Sequence, residues 1–138
     1  MKRFSVTAVI LLAAALMLSA LAGCGSSGTS ANGKTFTISD VNISAKVGDT
    51  FTIQLESNAT TGFQWSTSGS LNPKVVKKVR STYVAGANPG GMTGVGGIEK
   101  WVFTAVGAGT GTILMIYSQP FDKTAKPAQT VTFTVNVQ

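Results

Sequence analysis

From Lys34 onward, apolar and polar residues alternate with a period of two. Phe36 and Ile38 alternate with Thr35 and Thr37. Phe51, Ile53 and Leu55 are interleaved with Thr52, Gln54 and Glu56. Val131, Phe133, Val135 and Val137 are interleaved with Thr132, Thr134 and Asn136. Successive side chains of a strand point to opposite faces, so each run predicts a half-buried strand. Trp101-Val102-Phe103 and Ile113-Leu114-Met115-Ile116-Tyr117 are continuously apolar and predict central strands covered on both faces. Turn-forming residues separate the runs, at Gly48-Asp49, Thr61-Gly62, Asn72-Pro73, Gly107 to Gly111 and Pro127. The pattern predicts an all-β fold: an immunoglobulin-like antiparallel β-sandwich of about seven strands over roughly 100 residues. The chain has one cysteine, which excludes the Cys-Trp-Cys signature of antibody domains.

The first residues follow a different rule. Lys2 and Arg3 precede an apolar run over residues 4–22, and Gly23 and Cys24 follow it. This is the layout of a secretion signal, so residues 1–23 are set apart from the fold. Leu21-Ala22-Gly23-Cys24 resembles the bacterial lipobox. That resemblance implies cleavage before Cys24 and lipid on its thiol and new amino group. Two or more acyl chains suffice for stable attachment to a membrane. The alternatives are an uncleaved membrane helix and an ordinary secretory signal. Residues 24–33 then form a flexible Gly/Ser-rich linker, and residues 34–138 form the domain. The implied location is the cell envelope, on the outer side of the cytoplasmic membrane or in the outer membrane. Gly25 stands where an aspartate is associated with inner-membrane retention.

Composition narrows the chemistry. The chain has no histidine, which removes Ser-His-Asp and Cys-His catalysis and histidine metal sites. Its five acids, Asp40, Asp49, Glu56, Glu99 and Asp122, are dispersed, which disfavours a metal loop or a paired-carboxylate site. No cofactor, metal or catalytic residue is expected. Without Lys2 and Arg3 the net charge falls from +6 to +4, too weak to argue for nucleic acid. Gly28 to Thr35 matches the spacing of a phosphate-binding loop. That motif needs a buried strand before it and a helix after it, and an alternating strand follows instead.

In a sandwich, binding residues concentrate in the loops at one end. Three loops stand out. Asn58-Ala59-Thr60-Thr61-Gly62-Phe63 predicts a tight, self-bonded turn holding its hydroxyls outward, or else a plain hairpin turn. Gly86 to Gly97 is a long glycine-rich connection with Met92 and Val95 as its only sizeable apolar side chains. Tyr117-Ser118-Gln119-Pro120-Phe121 leaves an apolar strand and ends on an aromatic outside the alternation. Phe121 is then either an exposed anchor for a partner or a cap on the core.

Together these loops resemble the chagasin family of papain-like cysteine peptidase inhibitors, over about Lys34 to Gln138. The first loop resembles that family's asparagine-proline-threonine-threonine-glycine-tyrosine signature. Gly91 to Phe103 resembles its glycine-rich loop and the strand after it. Tyr117 to Phe121 resembles its arginine-proline-tryptophan loop. Ala59, Phe63, Gln119 and Phe121 replace the family's proline, tyrosine, arginine and tryptophan. The resemblance implies a reversible, non-covalent, monomeric plug for a peptidase cleft, with no catalytic group of its own.

By that resemblance Asn58, Ala59, Thr60, Thr61, Gly62 and Phe63 bind the peptidase, with Thr60 and Thr61 approaching its catalytic cysteine and histidine. Gly91, Met92, Gly94, Val95, Gly96 and Gly97 would run along the groove. Gln119, Pro120 and Phe121 would press on the opposite wall. The rival expectation is a lipid-anchored immunoglobulin-like binding module of the envelope without inhibitory activity. The basic segment Pro73 to Arg80 is read as a solvated strand face, with contact to anionic lipid as the alternative.

Overall fold

The structure is a computed structural model and describes residues 30–69 and 71–138. The signal segment 1–23, Cys24 and residues 25–29 lie outside the described residues. Eight strands are present: β1 Thr35–Phe36, β2 Asn42–Ala45, β3 Thr50–Ser57, β4 Gln64–Ser68, β5 Val76–Ala85, β6 Gly97–Ala105, β7 Gly109–Ser118 and β8 Gln129–Val137. They form two four-stranded sheets, ordered β1-β3-β6-β5 and β2-β8-β7-β4. The immunoglobulin-like sandwich expected from the alternation is the fold found. Two edge pairs depart from an all-antiparallel arrangement: β1 runs parallel to β3, and β2 runs parallel to β8.

The alternation explains the core. Phe51, Ile53 and Leu55 of β3 are buried, as are Trp101 and Phe103 of β6. They meet Ile113 and Met115 of β7 and Val131, Phe133 and Val135 of β8 from the facing sheet. Phe51 stacks on Phe103 with ring centroids 5.9 Å apart, and Phe36 closes on Phe51 edge-to-face at 5.9 Å. Strands β6 and β7 do lie between two neighbours, as their continuous apolar runs predict. Their outer faces are half-exposed rather than covered, because no further layer packs on either sheet among the described residues. The predicted strand around Phe36 and Ile38 shortens to Thr35–Phe36, and Ile38 is 40% exposed. Asp40 ends it by accepting the Thr37 N–H at 2.8 Å and the Thr37 hydroxyl at 2.8 Å.

The body begins earlier than the sequence suggests. Ser30 to Gly33, read as linker, are part of it, and Ala31 is fully buried. The reason is Asp49, 18 residues away. Its carboxylate accepts the Ala31 and Lys46 N–H groups, each at 2.8 Å, and the Ser30 hydroxyl at 2.8 Å. Gly33 N–H then donates to Thr50 C=O at 2.7 Å. Thr35 enters a strand and not a helix, so the phosphate-loop spacing has no matching context.

These bonds hold the Asp49 carboxyl below the usual aspartate range, chiefly through the Lys46 N–H. Asp40 and Asp122 are lowered by bonds from Thr37 and Thr124. A lowered folded value means the unfolded chain binds protons first as pH falls. The stabilisation is therefore complete above the usual carboxylate range and is lost as pH drops through the folded values. Urea midpoints are expected to stay level from roughly pH 7 to 5 and to fall below about pH 4. Asp49→Asn should flatten that fall; an unchanged acid limb in this variant would refute the assignment.

The basic segment is mainly a solvated strand face: in β5 only Val76 is buried. Lys78 departs from this, its Nζ lying 4.0 Å from the centroid of the Trp101 ring.

Candidate functional site

The strand directions bring three connections to one end. β3 ends at Ser57 opposite Gly97, where β6 begins, and Ala85 at the end of β5 pairs with the same Gly97. Tyr117 near the end of β7 pairs with Gln129 and Trp65. Loops 58–63, 86–96 and 119–128 therefore leave the sandwich at one pole.

The first loop is a 3₁₀ turn, Ala59–Thr61, that carries the chain from one sheet to the other. A plain hairpin is ruled out, since β3 and β4 belong to different sheets. Asn58 caps the turn: its Oδ1 accepts the Thr60 N–H at 3.2 Å and the Thr60 hydroxyl at 2.6 Å. The Thr61 hydroxyl donates to Asn58 C=O at 2.7 Å. Both hydroxyl protons thus turn back into the loop and are not held outward. Gly62 closes the turn in the left-handed region at φ 76°, donating its N–H to Ala59 C=O.

The neighbouring loops are tied to this turn by side-chain amides. Asn58 Nδ2 donates to Gly94 C=O at 3.0 Å. Gln119 Nε2 donates to Thr61 C=O at 3.0 Å. Phe121 lies over Gly62, where an added Cβ would stand 2.8 Å from its Cε1. Within the glycine-rich loop Asn88 clamps Met92: its Oδ1 accepts the Met92 N–H at 2.8 Å, and its Nδ2 donates to Met92 C=O at 2.7 Å. Phe121 is 73% exposed and Met92 66%, the highest values for large apolar residues among the described residues. Phe121 is exposed and not a core cap.

Not every residue of the expected surface faces outward. Phe63 is half-buried and packs on Tyr117, ring centroids 5.3 Å apart. Gly97 is a β6 residue held in the sheet between Ser57 and Ala85. Gly96, also half-buried, accepts the Gly86 N–H at 2.9 Å. The outward set is Ala59, Thr60 and Thr61, Gly91, Met92 and Gly94, and Pro120 and Phe121, with Val95 and Gln119 partly covered.

Two supports escaped the sequence reading. Glu99 is 8% exposed and its carboxyl receives the Ser57 hydroxyl at 2.7 Å, the Trp65 N–H at 2.9 Å and Trp101 Nε1–H at 3.3 Å. It fastens both stems of the first loop to β6. The Tyr117 hydroxyl accepts the Asn58 N–H at 2.8 Å. Glu99 was legible from the alternation, which places it on the inner face with Trp101 and Phe103. Shallow clefts of about 490 and 500 Å³ flank the first loop, so it stands as a ridge. Asn58→Ala removes the cap and the tie to Gly94 together. We expect a stability loss of about 1–2 kcal/mol in urea titrations, with greater mobility of loop 86–96 in relaxation measurements.

The site is therefore a sandwich pole at which two loops are each bonded to the first, one through Asn58 and one through Gln119. Residues 44–137 match the family described as chagasin family peptidase inhibitor I42, and the chain belongs to that family, one of inhibitors and not enzymes. Among its relatives, Amoebiasin-2 of Entamoeba histolytica is 29% identical over 90 residues, covering 65% of this chain and 72% of its own length. The crystal structure of the cysteine protease inhibitor EhICP2 from Entamoeba histolytica superposes with a TM-score of 0.66 at 25% identity, over 76% of this chain and 95% of that one. PbICP-C, solved in complex with falcipain-2, shares the fold at a TM-score of 0.55 and 20% identity, over 78% of this chain and 91% of that one.

Proposed function

We propose that this protein is a reversible, non-covalent inhibitor of papain-like cysteine peptidases that fills the substrate cleft with its three loops. The observation that carries the reading is the bonding of all three loops into one ridge through Asn58 and Gln119. A ridge fixed in advance loses little conformational entropy on docking. The first loop, with Ala59, Thr60 and Thr61 exposed, is the wedge that approaches the catalytic pair. Gly91 to Val95 runs along one side, and Pro120 and Phe121 press on the other. Gln119 works from within, holding the third loop to the first. That EhICP2 is a cysteine protease inhibitor supports a cysteine peptidase as the target.

Residues 30–138, titrated into papain or cathepsin L with a fluorogenic peptide, should abolish activity at a one-to-one ratio. Full activity across several papain-like enzymes would sink the reading and favour an envelope-binding module.

Attachment through lipidated Cys24 to an envelope membrane belongs to the same proposal. Its support is the lipobox-like sequence and the place where the body begins. Ser30 bonds Asp49 just before β3, and β3 runs about 24 Å to the loop pole. An anchor upstream of Ser30 would leave the loops pointing away from the membrane. Labelling with a palmitate analogue should mark the parent chain and not Cys24→Ser.

A further inference from the structure

The methionines of the body form a contrasting pair. Met115 lies in the core with no exposed surface, whereas Met92 is 66% exposed at the loop pole. The two Asn88 bonds fix the Met92 backbone and leave its thioether free in solvent. Susceptibility of a thioether to oxidation follows its access to the oxidant. Met92 also sits in the loop proposed to enter the peptidase groove, where the thioether is one of few apolar groups the loop supplies.

We infer that Met92 is an oxidative modification site through which peroxide-class oxidants switch the inhibitor off. The inference rests on the inhibitory reading. A sulfur lone pair of Met92 attacks one oxygen of the peroxide, the O–O bond breaks, and a sulfur–oxygen bond forms. The sulfur is oxidised by two electrons; the peroxide is reduced and leaves as water. The product is a polar sulfoxide on a surface that must shed water to dock. Burying that oxygen without a partner opposes binding, while the fold, with Met115 as the core methionine among the described residues, is untouched. An inhibitor of this design would release peptidases under oxidant exposure and recover by enzymatic reduction of the sulfoxide.

The test uses the full chain in detergent, treated with hydrogen peroxide and followed by peptide mass mapping and papain inhibition. Met92 should gain one oxygen well before Met115. The inhibition constant should rise about tenfold or more and return after treatment with methionine sulfoxide reductase. Met92→Leu should show the same constant before and after peroxide, whatever its starting value, which separates Met92 from Met1 and Met17. Oxidation of Met115 as fast as Met92 would overturn the site. Unchanged inhibition by chain oxidised at Met92 would overturn the switch and leave the inhibitory reading standing. An untreated chain that fails to inhibit would remove both.

Discussion

Gly62→Val should cripple inhibition while leaving a folded sandwich. Gly62 sits at φ 76°, a region closed to a β-branched residue. An added Cβ would also stand 2.8 Å from Phe121 Cε1 and 3.9 Å from Gln119 Nε2. The substitution therefore unseats the cap of the first loop and pushes the third loop off it. Both effects fall at the pole, away from the core formed by Phe51, Phe103 and Phe133. We expect the inhibition constant to rise on the order of 30-fold or more, with a stability loss of roughly 1–3 kcal/mol. Gly90 is the control: its φ is ordinary, and an added Cβ would meet only Met92 Cγ at 3.9 Å. Gly90→Ala should change inhibition far less. Equal constants for Gly62→Val and the parent would show that the shape of the turn does not matter to docking.

The strands that carry this design were legible because burial on one face forces alternation. β3 and β8 read directly from Phe51-Ile53-Leu55 and Val131-Phe133-Val135, and each of these residues is buried. What the sequence concealed depends on contacts between distant residues. Nothing local to Ser30-Ala31-Asn32-Gly33 signals that it joins the body, since its tie is the Asp49 carboxylate. The parallel pairing of β1 and β2 is likewise set by neighbours far along the chain.

The loops divide in the same way. Their residue types announced turns, and Gly62 closes one at positive φ; for Phe121 the sequence left exposure and core-capping open, and it is exposed. The amide ties of Asn58 and Gln119 were not visible, because asparagine and glutamine have no preferred partner until the fold brings a carbonyl within reach. Gln119 stands where the family has an arginine, and its neutral amide here donates to the Thr61 carbonyl.

Glu99 is expected to be the most sensitive single position for stability. An acid on the inner face of a strand breaks the apolar pattern, and the fold accommodates it by supplying three donors, from Ser57, Trp65 and Trp101. Glu99→Leu keeps comparable volume and removes both oxygens. The Ser57 hydroxyl can rotate to another acceptor, but the Trp65 N–H and Trp101 Nε1–H are fixed by backbone and ring. Each donor left buried without a partner costs about 1–3 kcal/mol, so the variant should lose roughly 3–5 kcal/mol. That is a large share of a stability typically about 5–15 kcal/mol for a domain. Glu99→Gln retains one oxygen for Ser57 and Trp65 while setting its NH₂ against the Trp101 N–H, and should lose less. Ser57 and Trp65 flank the first loop, so Glu99→Leu, which releases both, should also weaken inhibition at temperatures where it is fully folded, and Glu99→Gln should weaken it less. Urea titrations ranking Leu and Gln together near the parent would mean that the carboxyl is a tolerated passenger and not the fastening of the loop to β6.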